Sequence, residues 1–221
     1  MKQTLKRIIR NVKSINGNSL AEFATTTALM ATLAATAAPK LSEMSEGTMA
    51  EKSKNEMDKI LTQARNHYQT TSQVEGRGRF PGQDKYNLAV GGYSTEALLT
   101  TDLGNWTEFD DATIGPKWRS VFGISNAAAL RPTGCKIIND EITTHTGNGG
   151  SSFKDDGTTR MKGHEEWLKL FAGNTIRSKY QDGHFAYAVV PGGGQGTATY
   201  PPVWYVVDVE NASDFNNVIE P

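Results

Sequence analysis

One carboxylate, Glu22, stands at the edge of sixteen residues, 23–38, that carry no charge. A carboxylate beside an apolar helix needs a partner, because burying it alone costs several kcal/mol. No other group of residues in the chain completes a pattern for chemistry. His164-Glu165-Glu166-Trp167-Leu168 begins like a zinc-protease helix but has Leu168 where a second histidine is required. His67, His145 and His184 have no ligand partners at recognisable spacing and read as scattered surface histidines. Gly192-Gly193-Gly194-Gln195-Gly196-Thr197 lacks the Lys-Ser/Thr of a phosphate loop and precedes no helix. Cys135 is the sole cysteine, so it makes no internal disulfide, and it reads as a small buried hydrophobe or a lone thiol. Asp155-Asp156-Gly157 lies in a Gly/Ser/Asn stretch and offers hard oxygen ligands of the kind calcium takes, without the spacing of an EF-hand. Asp155 and Asp156 are weak calcium candidates, and the sequence indicates no other cofactor, no other metal and no catalytic residue. Asn105-Trp-Thr107 and Asn211-Ala-Ser213 match the glycosylation sequon.

Charge is distributed unevenly. Residues 1–17 contain Lys2, Lys6, Arg7, Arg10 and Lys13 and no acid; without those five of the 23 basic residues, 18 remain against 24 acidic ones, a balance of −6. A basic leader retained on the cytoplasmic side fits the positive-inside bias. The acidic remainder argues against nucleic acid as the main partner. An apolar fraction of 37% and 22 glycines among 221 residues point to a modest core and many loops.

The element that must position Glu22 is one long helix over 18–72, about 80 Å at 1.5 Å per residue. Its uncharged part spans about 24 Å, short of the ~30 Å hydrocarbon layer. Alanine and the five threonines of 23–38 insert weakly, although each threonine hydroxyl can bond back to a helix carbonyl, and small residues let helices approach closely. Pro39 lacks an N–H and clashes with the carbonyl of residue 35, which predicts a kink or local melting, and Gly47 is a second weak point. Met49, Met57, Ile60, Leu61, Ala64 and Tyr68 then recur at near-helical spacing, the stripe of an amphipathic helix laid against a core. The helix stops near Gly76-Arg77-Gly78. Residues 76–132 read as loop-rich, with Tyr93, Trp106, Phe109 and Trp118 as anchors of a small core. A short strand is expected over 135–138, a loop over 146–157 and a short helix over 165–172. The clearest strands are 184–190 and 203–209, an antiparallel pair joined by a floppy loop in a sheet of three to five strands.

The basic leader, a glycine, a glutamate five residues later and a proline about four turns beyond resemble the class III signal of type IV pilins and pseudopilins. The resemblance covers roughly residues 1–75. It implies cleavage by a prepilin peptidase after Gly17, leaving Asn18 as the new N-terminus and Glu22 as the fifth residue. Glu22, Phe23 and Pro39 then belong to the assembly helix. The implied fold is α+β: a long N-terminal helix with a protruding apolar half, packed by its C-terminal half on a small antiparallel β-sheet head. The implied divisions are a cleaved leader, 1–17, an apolar transmembrane and filament-core helix, 18–39, an amphipathic helix, 40–75, and a loop-rich head, 76–221.

The implied function is structural and not enzymatic: a subunit of an extracellular pilus-like filament. The implied partners are copies of itself, the peptidase, an inner-membrane assembly platform and, before assembly, the membrane. The implied location is the inner membrane as precursor, then the cell surface. The same signal serves a pseudopilin of a type II secretion system, whose major subunits use a calcium loop where other pilins use a disulfide. Another class of protein fits the same residues: a secreted binding or enzymatic domain with an ordinary signal peptide, its apolar region at 28–38 and Ala35-Thr36-Ala37 as the cleavage triplet.

Overall fold

The computed structural model describes residues 2–106, 113–123, 151–153, 160–180 and 183–221, and for 2–18, 151–153, 160 and 162 the backbone alone. The expected strand at 135–138, Phe109, His145, Asp155 and Asp156 lie outside the described residues. The chain divides into two compact units, Met1–Thr48 and Met49–Pro221.

Helix α1, Lys2–Glu75, contributes to both. It starts sixteen residues before the expected Asn18, since the leader Lys2-Gln-Thr-Leu-Lys-Arg-Ile-Ile-Arg is built from residues that tolerate or favour helix. It also runs without interruption through Pro39 and Gly47, so the melting expected at Pro39 does not occur. Proline removes one donor from a ladder of many bonds, and the turns on either side hold the segment helical. Gly76, at a φ of 79°, ends the helix in the left-handed conformation that glycine adopts without strain.

The second unit is built on an antiparallel sheet. Its strands are β1, Arg119–Ser120, β4, Phe185–Val190, β5, Val203–Asp208, and β6, Asn216–Ile219, in the order β1-β4-β5-β6. A separate two-stranded antiparallel sheet pairs β2, Ser151–Phe153, with β3, Arg160–Lys162, which leads into α3, Gly163–Leu170. The β4–β5 register places Phe185 opposite Asp208 and Val190 opposite Val203. Their connection is not floppy: Gly193 and Tyr200 exchange both backbone hydrogen bonds, at 3.1 and 2.9 Å, across a short 3-10 turn, Gly196–Ala198.

All six residues of β4 are buried because the sheet is covered on both faces. Phe185, Tyr187 and Val189 of β4, with Trp204 and Val206 of β5, face Met57, Ile60, Leu61 and Ala64 of α1 together with Phe80, Phe122 and Trp167. The alternate residues Ala186, Ala188, Tyr205 and Val207 face Tyr93, Trp106, Trp118, Leu99 and Leu103. The last two leucines belong to α2, Glu96–Gly104, a helix inside the stretch expected to be loop. Its nine residues bury only these two positions, one turn apart, too few to stand out as a periodic pattern. Tyr93, Trp106 and Trp118 are core anchors as expected; the Trp118 indole N–H donates to the Tyr93 hydroxyl at 3.0 Å. The apolar stripe of α1 also packs as expected, except Met49, which is 44% exposed.

Candidate functional site

In the first unit every described side chain from 19 to 48 is exposed. Leu20, Phe23, Leu29, Met30, Leu33, Leu41 and Met44 are all among them, Phe23 at 70%. The helix Ser19–Glu75 contains a stretch long and apolar enough to cross a membrane, a property it shares with secretory signals. Its threonines are satisfied from within. Thr25 donates to the Glu22 carbonyl at 2.9 Å, Thr27 to Phe23 at 2.7 Å, Thr32 to Leu29 at 2.9 Å and Thr36 to Thr32 at 3.0 Å. Thr26 reaches both the Glu22 and the Phe23 carbonyls. With their hydroxyls turned back on the helix, these residues present methyl groups outward and leave no donor to be desolvated.

Glu22 sits on this helix with its side chain exposed and without a cation partner among the described residues. Pro39 is exposed on the same helix, and Gly17 and Asn18 lie within its helical backbone. All five processing and assembly candidates therefore fall on one continuous element.

Two buried polar clusters hold the C-terminal part of α1 in the second unit, and neither was legible beforehand. In the first, the Arg79 guanidinium donates through Nε to both oxygens of Glu75 at 3.1 Å and through a terminal nitrogen to Glu166 Oε1 at 3.1 Å. Glu166 Oε2 accepts from the Gly82 N–H at 2.7 Å. His67 Nε2 lies 3.4 Å from Glu166 Oε1. Burial pushes the His67 imidazole below its ordinary pKa, and Arg79 and Lys169 push the same way against the pull of Glu166. The side chain of Thr71 bonds the backbone N–H and carbonyl of Arg79, each at 3.0 Å. Glu166, which follows the motif-position Glu165 in the failed zinc motif, is thus an anchor for the helix end.

In the second cluster Ser53 of α1 reaches Ser178 at 3.0 Å and accepts from the backbone N–H groups of Lys179 and Tyr180 at 2.7 and 2.8 Å. Ser178 in turn donates to Asp208. Nearby, Ser120 Oγ and His184 Nε2 are 2.6 Å apart, the spacing of a nucleophile and its base. Both are buried and closed to solvent, which makes the pair a hydrogen bond of the core. His67 and His184 are therefore interior groups, correcting their reading as surface histidines: each has polar partners that offset its desolvation. Among the described residues no group of three His, Cys, Asp or Glu side chains is placed to hold a metal ion.

Burial pushes the Asp208 carboxyl up to about 6, although the Ser178 hydroxyl and the Glu210 backbone N–H favour its charged form. The native state therefore binds more protons than the unfolded chain between the ordinary value of 3.8 and about 6, so this group's contribution to stability is complete below that window and lost as pH rises through it. Relative to Asp208→Asn, the parent chain is expected to lose on the order of 3 kcal/mol between pH 4 and pH 7. Chemical denaturation of both proteins at several pH values measures the difference; a constant difference would show that Asp208 titrates normally.

No family model, no curated protein and no solved structure matches this chain.

Proposed function

We propose that the chain is the structural subunit of a type IV pilus-like filament, inserted in the inner membrane as a precursor, cut after Gly17 and polymerised through α1. The observation that carries this reading is the exposed, uncharged, internally satisfied helix behind Glu22, continuous with a helix whose other end is built into an α+β domain. A helix with exposed Leu20, Phe23, Leu29, Met30 and Leu33 is unstable against water and calls for a bilayer or copies of itself as surroundings. Its alanines and threonines suit close helix–helix contact better than a permanent hold on lipid.

Gly17 is the first glycine of α1. Glycine costs a helix about 1 kcal/mol relative to alanine, so this is where a peptidase unwinds the backbone most cheaply. The deciding measurement is the N-terminus of the mature protein by mass spectrometry. Asn18 is expected; a start at Ala38 would assign the chain to secreted domains with an ordinary signal peptide. Gly17→Val is expected to leave the precursor uncut in the membrane, since the β-branched side chain obstructs the cut and stiffens the helix. Mature protein of normal size from that variant would overturn the proposed processing.

A further inference from the structure

The second unit carries an open cleft of about 440 Å³, a volume typical of small-ligand sites. Its walls come from three places in the chain. Tyr68 and Ser72 lie one helical turn apart near the end of α1, Arg77 lies in the turn that ends it, and Tyr200 and Pro201 precede β5. Tyr86 completes it, its carbonyl held by the Gly192 N–H at 2.9 Å.

The rings are held from behind. A Cβ on Gly78 would lie 2.3–2.6 Å from the Tyr68 ring, and one on Gly193 would lie 2.3–3.0 Å from the end of the Tyr200 ring. Only glycine leaves room for these contacts. Tyr200 is nevertheless 59% exposed. The Arg77 guanidinium stacks 4.6 Å from the centre of the Tyr86 ring and forms no ion pair among the described residues, so its N–H edges are positioned and unused. Tyr68, Tyr86 and Tyr200, with Ser72 and Thr199, place five hydroxyl-bearing side chains among the residues lining the cleft, and none of these hydroxyls is bonded to another described residue.

Charge selects among ligands. An adjoining cleft of about 400 Å³ shares Gly76, Arg77 and Tyr86 and adds Glu75, Asp84 and Lys85, so two cations face two carboxylates. Balanced charge favours neither a polyanion nor a cationic peptide. What matches aromatic faces, unpaired hydroxyls and a free guanidinium edge is a neutral molecule with C–H faces and many hydroxyls. We infer that this cleft binds a neutral oligosaccharide, its rings stacked on the tyrosines and its hydroxyls bonded to Arg77 and the surrounding hydroxyl groups. The inference does not depend on filament assembly, because every residue involved belongs to the second unit.

The test uses the full-length chain in a zwitterionic detergent, which brings no sugar headgroup of its own. Maltotriose, cellotriose, chitotriose and N-acetyllactosamine are titrated by saturation-transfer NMR and calorimetry, with decaproline as the competing probe for a tyrosine- and proline-lined groove. At least one sugar is expected to bind in the millimolar range or tighter. Tyr200→Ala and Arg77→Ala should each weaken it about tenfold, through the lost ring face and the lost charged donor respectively. Both side chains are exposed, so the unfolding midpoint should not move; Tyr200→Phe, which keeps the ring, should bind more tightly than Tyr200→Ala. No binding by any of the four sugars overturns the inference. So does sugar binding indifferent to both alanine variants, or capture of decaproline alone.

Discussion

On the proposed reading, a Glu22→Ala variant is expected to be cut after Gly17 normally and to remain in the membrane, yet to form few or no filaments. In an assembled core of α1 helices the exposed apolar side chains from Leu20 to Met44 would be withdrawn from water, and Glu22 with them. Residues 18–39 contain no Lys or Arg. The nearest cation in such a core would be the α-amino group that the proposed cut frees at Asn18, on a neighbouring copy. An ion pair in a low-dielectric core adds little net stability, since desolvation offsets most of the Coulomb attraction, but leaving one member unpaired costs about 3–5 kcal/mol. The pair would therefore act on register, penalising copies that dock out of step. On this proposal cleavage would be the switch, because the uncut chain has no amine at that depth and residues 1–17 carry five basic side chains that resist burial. Glu22→Asp, one methylene shorter, should assemble poorly. Electron microscopy of cells, with N-terminal sequencing of the membrane-held protein, checks both variants. Filaments of normal number and length from Glu22→Ala would mean that the helices find their register by packing alone.

Glu166→Ala is expected to destabilise the second unit by about 2–3 kcal/mol, the cost of stripping the buried one of the two carboxylates from Arg79 and the acceptor from the Gly82 N–H. Arg79 would keep Glu75, which is partly open to water, and the Gln83 carbonyl, while the Gly82 N–H would lose its acceptor. Glu166→Gln retains an acceptor for Gly82 and loses the charge, so its effect should be smaller. Glu56→Ala is the contrast: its 2.8 Å pair with Lys59 is on the surface, and its loss should cost no more than about 0.5 kcal/mol. All four tryptophans are buried, so fluorescence during denaturation reports the transition directly. Equal effects from Glu166→Ala and Glu56→Ala would show that the interior cluster is as screened as a surface pair.

The main elements were legible where local pattern carries them. The stripe from Met57 to Tyr68 has helical spacing, and the strands at 185–190 and 203–208 are runs of apolar and β-branched residues bounded by glycine and proline. The unbroken run Phe185–Val190 is buried throughout because both faces of the sheet are covered, and the helix covering the second face, α2, was not legible in the sequence. Strands β1 and β6 were missed for a related reason. Arg119-Ser120 and Asn216-Asn217-Val218-Ile219 are strands because β4 and β5 offer free edges to pair with, not because of their composition.

The helical character of α1, the absence of charge in 23–38 and the isolation of Glu22 were determined by sequence alone, because each depends on residues within a few turns of one another. Only the tertiary structure decided what the polar residues do. Arg79 and Glu166 are 87 positions apart, Ser53 and Ser178 are 125 apart, and the cleft draws Tyr68, Arg77, Tyr86 and Tyr200 from separate segments. Such groups meet because the core brings their backbones together, and what makes a buried charge or an unpaired hydroxyl consequential is the loss of water around it, which no spacing along the chain records.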